Sequence, residues 1–131
     1  MKIGILGSGS GTNFEAIADS VASGKLPGVE IAVVLCDIPG APILEKAKKR
    51  GLKALHVPPG KYKTWMEPHA EEAYVRLLQE HGVELVALAG FMRVIKKPLL
   101  TAFADRIINI HPSLLPAFPG LKAWEQALNA G

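Results

Sequence analysis

Short apolar runs alternating with longer amphipathic stretches constrain this chain more than any other feature. Ile3–Leu6, Glu30–Cys36, Lys53–Val57, Glu84–Ala89 and Arg106–Ile110 have the length and composition of strands. Glu30–Cys36 is nearly all apolar, as a strand covered on both faces must be. Between the runs lie stretches with helical spacing. Asn13–Ala22 puts Phe14, Ile17, Ala18 and Val21 on one face, and Gly24 and Pro27 close it. Pro42–Arg50 is stopped by Gly51, and Pro68–His81 turns Ala73, Leu77 and Leu78 inward before Gly82. Pro98–Ala104 carries proline in its first turn, and Lys122–Ala130 forms a final helix. The order βαβαβαβαβα predicts an α/β fold: a doubly wound, mostly parallel, Rossmann-like sheet with right-handed crossovers. The 131 residues suit one domain over positions 1–131, with no repeat or linker.

Charge excludes some partners. Fifteen basic residues against twelve acidic ones leave +3, too weak and too scattered for nucleic acid but compatible with an anionic small molecule. The one basic run, Lys46–Arg50, reads as the last turn of a helix, where cations suit the dipole. A single cysteine, Cys36, forbids an intrachain disulfide and fits a reducing, cytoplasmic setting; its apolar neighbours predict a buried thiol, not a nucleophile. The start, Met1-Lys2-Ile3-Gly4-Ile5-Leu6, breaks into a glycine loop too soon for a signal peptide. No apolar stretch approaches the ~18 residues a membrane span needs. A monomer or a homodimer is equally compatible with the sequence.

In such sheets ligands bind beyond the carboxyl ends of the strands, so the loops there carry the functional reading. After the first strand comes Gly7-Ser8-Gly9-Ser10-Gly11-Thr12-Asn13. Glycines let backbone N–H groups approach a phosphate, the helix that follows adds its positive end, and Ser8, Ser10, Thr12 and Asn13 supply polar side chains. The loop departs from the dinucleotide fingerprint G-x-G-x-x-G, having Thr12 at the third glycine, although Asp37 after the second strand would suit a ribose in that alternative. Phosphate is the common element; the rest of the ligand stays open. After the fourth strand, Gly90-Phe91-Met92-Arg93-Val94-Ile95 reads either as the lining of a pocket for a flat, partly charged molecule or, more simply, as a packing loop with a solvated arginine.

After the fifth strand comes Asn109-Ile110-His111-Pro112-Ser113-Leu114-Leu115-Pro116. Asn109 and His111 are two apart and face one side of an extended chain. An amide donor beside a group that titrates near neutrality can polarise a carbonyl and hold a tetrahedral oxyanion, and the prolines stiffen the turn. His56, His69 and His81 lack such a setting. No H-E-x-x-H or C-x-x-C occurs, so no metal is expected, and without a G-x-S-x-G elbow Ser113 is no hydrolase nucleophile.

The segment from Asn109 to Pro116 resembles the formyltransferase family that uses 10-formyltetrahydrofolate. With Gly9–Asn13, Ala89–Arg93 and Phe118-Pro119-Gly120-Leu121, the whole set is similar to the branch of that family acting on glycinamide ribonucleotide in de novo purine biosynthesis. The resemblance implies that Gly11, Thr12 and Asn13 hold the ribonucleotide phosphate. It implies that Met92, Arg93, Val94 and Ile95 border the folate, with Arg93 near its glutamate tail, and that Asn109 and His111 are catalytic. The family's catalytic aspartate would fall beyond Gly131. The 131 residues are therefore expected to be the N-terminal portion of the fold, and impaired in turnover as they stand. Lys122 replaces a histidine found in some members. Two other functions remain as alternatives: a nucleotide-cofactor dehydrogenase built on the glycine loop and Asp37, and a phosphate-binding module without turnover.

Overall fold

The computed structural model describes residues 1–61 and 65–110. Their elements are β1 (Lys2–Gly7), α1 (Thr12–Ala22), β2 (Glu30–Cys36), α2 (Pro42–Lys49), β3 (Ala54–His56), α3 (Pro68–Glu80), β4 (Leu85–Leu88), α4 (Lys97–Ala102) and β5 (Ile107–Asn109). The strands form one five-stranded sheet in the order β3-β2-β1-β4-β5, every pairing parallel. The chain winds outward from β1 to β3, returns to the centre, and winds the other way from β4 to β5. The expected doubly wound sheet is present, and its reversal point lies between β1 and β4.

Both faces of the sheet are covered, which is why its central strands read as continuous apolar runs. On one face Phe14 and Ile17 of α1 and Ile43 and Ala47 of α2 pack on Ile3, Ile5 and Val34. On the other, Tyr74 and Leu78 of α3 and Leu99 of α4 pack on Leu6, Val33, Leu35 and Val86. Each of these larger side chains contributes roughly 1.5–3 kcal/mol by leaving water. The basic run does end α2, with Lys46, Lys48 and Lys49 in its last turn. It also fastens α2 to α1, through Lys46–Glu15 at 3.6 Å and Arg50–Asp19 at 2.7 Å.

β2 has the expected bounds, and the ends of the other elements fall within two residues of expectation. Lys53 and Val57 fall outside β3, yet the Lys53 carbonyl accepts from Val34 N–H and Val57 N–H donates to Cys36. The larger correction concerns α3. Its buried residues are Glu71, Tyr74 and Leu78; Ala73 and Leu77, expected inward with Leu78, are only partly buried. Tyr74 brings more apolar area than Ala73, and its hydroxyl donates to the Val57 carbonyl at 2.8 Å, so the helix is rotated to bury it. His111 and the expected helix Lys122–Ala130 lie outside the described residues. Among those residues no helix is long and apolar enough to cross a membrane.

Cys36 is fully buried, as expected. Burial pushes its thiol above the ordinary value of 9.0, and the neighbouring Asp37 charge pushes the same way against a backbone hydrogen bond from Ile38. Burial likewise raises the Tyr74 hydroxyl. Both groups ionise more readily in the unfolded chain. Their stabilisation is complete below the unfolded values and is lost as pH rises through the folded ones. Urea unfolding is therefore expected to show stability falling above about pH 9, with a shallower fall in Cys36→Ala and Tyr74→Phe. A flat profile to pH 11 in the unmutated protein would contradict this assignment.

Candidate functional site

The site is built at the reversal point, where neighbouring crossovers leave on opposite faces and open a crevice. β1 ends at Gly7, where a Cβ would stand 3.0 Å from the Ala89 carbonyl oxygen; only glycine lets the loops after β1 and β4 meet there. Ser8 then joins them. Its N–H donates to the Gly90 carbonyl at 3.3 Å, and its Oγ accepts from Met92 N–H at 2.8 Å. Ser8 is thus a buried strut between loops, where the sequence suggests a side chain offered to a ligand.

Gly11 has φ 82°, and a Cβ there would also meet the Ile43 backbone at 3.0 Å, so glycine is required on two counts. This left-handed residue starts α1, and no described side chain caps that start. The first N–H groups of the helix are left for a ligand or solvent, at the positive end of its dipole. They border a cavity of about 130 Å³ lined by Gly9–Asn13, Ala89, Gly90 and Met92. Thr12 and Ser10 stand at its mouth, their hydroxyls 3.0 Å apart. Asn13 turns its side-chain amide to the Ile110 carbonyl at 3.3 Å, tying the start of α1 to the end of β5.

The segment after β4 alternates. Met92, 75% exposed, and Val94 face outward; Phe91, Arg93 and Ile95 face a second cavity of about 590 Å³ that Ile107 and Asn109 also line. Arg93 is not the solvated arginine of the simpler sequence reading. Its Nε donates to Asp37 Oδ2 at 2.7 Å, and its Nη1 to the Trp65 carbonyl at 3.4 Å. Asp37 is 2% exposed, and its Oδ1 has no partner among the described residues. The carboxylate that the dehydrogenase alternative needs for a ribose is buried and committed to Arg93. Asn109 sits at the carboxyl end of β5, opposite Leu88 and exposed. The structure thus brings Gly11, Thr12, Asn13 and Met92 to one cavity and Arg93, Ile95 and Asn109 to the next. Val94 instead pairs with Trp65.

Three contributors escape a reading of the sequence: Asp37 as the partner of Arg93, Trp65 with the Lys96 ammonium 4.2 Å above its ring, and Glu71. Glu71 was detectable in principle, because Glu71, Tyr74 and Leu78 share one helical face, and a carboxylate on an inward face demands partners. Among the described residues no cluster of His, Cys, Asp and Glu can hold a metal ion.

Fold and site together define a doubly wound α/β protein with a small cavity at an uncapped helix start at its reversal point and a larger cleft of mixed polarity alongside. Known proteins make that class specific. The formyl transferase family model matches residues 1–131, and the chain belongs to that family. It is 42% identical over 130 residues to phosphoribosylglycinamide formyltransferase of Bacillus subtilis, covering 99% of this chain and 65% of that protein. Among solved structures it is similar to glycinamide ribonucleotide transformylase 1 of Symbiobacterium toebii, at 50% identity and TM-score 0.77, over 100% of this chain and 60% of the other. The phosphoribosylglycinamide formyltransferase of Bacillus halodurans matches at 44% identity and TM-score 0.77, over 100% and 66%. The chain spans just under two thirds of the length of these relatives.

Proposed function

We propose that this chain supplies the binding and catalytic surface for transfer of a formyl group from 10-formyltetrahydrofolate to the glycine amine of glycinamide ribonucleotide, in cytoplasmic purine biosynthesis. The observation that carries the reading is the adjacency of two cavities at the reversal point. One is a phosphate-sized cradle at an uncapped helix start, and the other is a larger cleft that combines apolar side chains with Arg93 and Asn109. In this reading Gly11, Thr12 and Asn13 surround the ribonucleotide phosphate, with backbone N–H groups as the donors. Met92, Arg93, Val94 and Ile95 border the folate. Because Arg93 is held by Asp37, its backbone and stem, more than a free guanidinium, face the ligand.

The reaction joins the ribonucleotide amine nitrogen to the formyl carbon. Carbonyl electrons move onto oxygen, and the Asn109 amide donates a hydrogen bond to that oxyanion. Collapse breaks the bond from carbon to N10, and the amine proton passes to N10, giving formylated ribonucleotide and tetrahydrofolate. His111, two residues on from Asn109, is the partner that holds or relays charge. No covalent enzyme intermediate is required.

Calorimetric binding tests the phosphate assignment. Glycinamide ribonucleotide should bind roughly 10²-fold more tightly than the riboside lacking phosphate, the equivalent of about two charge-assisted hydrogen bonds. Thr12→Asp should abolish the difference by placing a negative charge at the cradle. Equal binding of ribonucleotide and riboside would place the phosphate elsewhere.

A further inference from the structure

A buried carboxylate outside the two cavities holds the start of α4. Glu71, on α3, is 1% exposed. Its oxygens accept from Lys96 N–H at 3.1 and 3.2 Å and from Leu99 N–H at 2.9 Å. Lys96 is the N-cap of α4 and Leu99 its third residue. In the usual capping box two residues of the same helix share this work. Here one carboxylate from a different helix does both halves, and its charge suits the positive end of α4.

The consequence falls on the residues just before the cap. Phe91–Ile95 runs directly into Lys96. Its far end is held by the same helix: Tyr74, one turn beyond Glu71, has its ring centroid 5.9 Å from that of Phe91. Between these anchors Ser8 holds Met92 N–H and Asp37 holds Arg93. Of these contacts, only that of Glu71 fixes where the segment ends and α4 begins. A side chain this buried would cost free energy without partners. It is retained in a face that an apolar residue would fill more simply.

We infer that Glu71 is a positioning residue: it fixes the Phe91–Ile95 backbone in the geometry that receives folate, without touching the ligand. This rests on the proposal that the segment borders folate. Glu71→Gln keeps size but cannot accept at both oxygens. It should weaken folate binding by roughly tenfold, the scale of one lost charge-assisted hydrogen bond. Binding of glycinamide ribonucleotide should change by about twofold or less, because Ser8 independently fixes Met92 at the first cavity. Glu72→Gln, on the exposed neighbour, is the control and should change neither.

Calorimetry with tetrahydrofolate and with ribonucleotide separates the outcomes. If the unmutated protein binds no folate, the functional reading fails. If it binds folate and Glu71→Gln binds it equally well, or if both ligands weaken alike, the positioning role is wrong. Should Glu71→Gln fail to fold, amide exchange in the unmutated protein decides. The Lys96 and Leu99 amides should be protected and become more so with bound tetrahydrofolate; rapid exchange at both, indifferent to the ligand, would overturn the inference.

Discussion

Asp37→Ala should destabilise the protein by about 3–5 kcal/mol, the cost of removing one member of a buried ion pair. The Arg93 guanidinium would keep its hydrogen bond to the Trp65 carbonyl and lose the Asp37 carboxylate. The cost is a largely buried charge without its counter-ion, more than the lost bond. The double variant Asp37→Leu/Arg93→Met should therefore recover much of the loss, because a well-packed apolar pair needs no compensation. Oδ1 of Asp37, which has no partner among the described residues, points the same way. Urea unfolding of the three variants measures this. A loss below about 1 kcal/mol in Asp37→Ala, the size typical of an exposed pair, would show that the pair is effectively solvated.

Asn109→Ala should lower kcat for formyl transfer by roughly 10²- to 10³-fold while both KM values stay within a few-fold, the pattern of losing a donor that acts on the transition state. Its position supports this: Asn109 lies at the carboxyl end of β5, exposed, and lines the larger cavity with Arg93 and Ile95. An exposed amide at that place stabilises no core, so its removal should leave the unfolding midpoint nearly unchanged. An unchanged kcat, or a loss explained by a raised KM alone, would remove Asn109 from the chemistry.

The fold was readable because its determinants are local and repetitive. Short, β-branched apolar runs such as Ile31–Cys36, bounded by turn residues, suit strands covered on both sides, and Gly51 and Gly82 end helices by adopting positive φ. The glycine loop was readable for a similar reason, since Gly11 answers a local backbone demand. What escaped depends on contacts distant in sequence. Asp37 and Arg93 are 56 positions apart, and Glu71 and Leu99 are 28 apart. Neither pairing leaves a periodic trace. The buried face of α3 is not legible in the sequence, because hydropathy ranks Ala73 and Leu77 above Glu71 and carries no trace of the backbone donors at the start of α4. Ser8 and Asn13 were recognised as polar residues in the right loop, yet both turn to backbone partners in neighbouring loops.

The proposed acceptor is the amine of glycinamide ribonucleotide, and the proposed donor is 10-formyltetrahydrofolate. The most direct measurement is the initial rate of tetrahydrofolate release by the gene product carrying this chain, with glycinamide ribonucleotide, its riboside, free glycinamide or water as the only acceptor. Release should depend on the ribonucleotide, produce formylated ribonucleotide in equal amount, and fall at least roughly 10²-fold with acceptors that cannot engage the cradle at α1. Equal release whichever acceptor is present, or release to water alone, would contradict the account and make the chemistry hydrolysis of the folate.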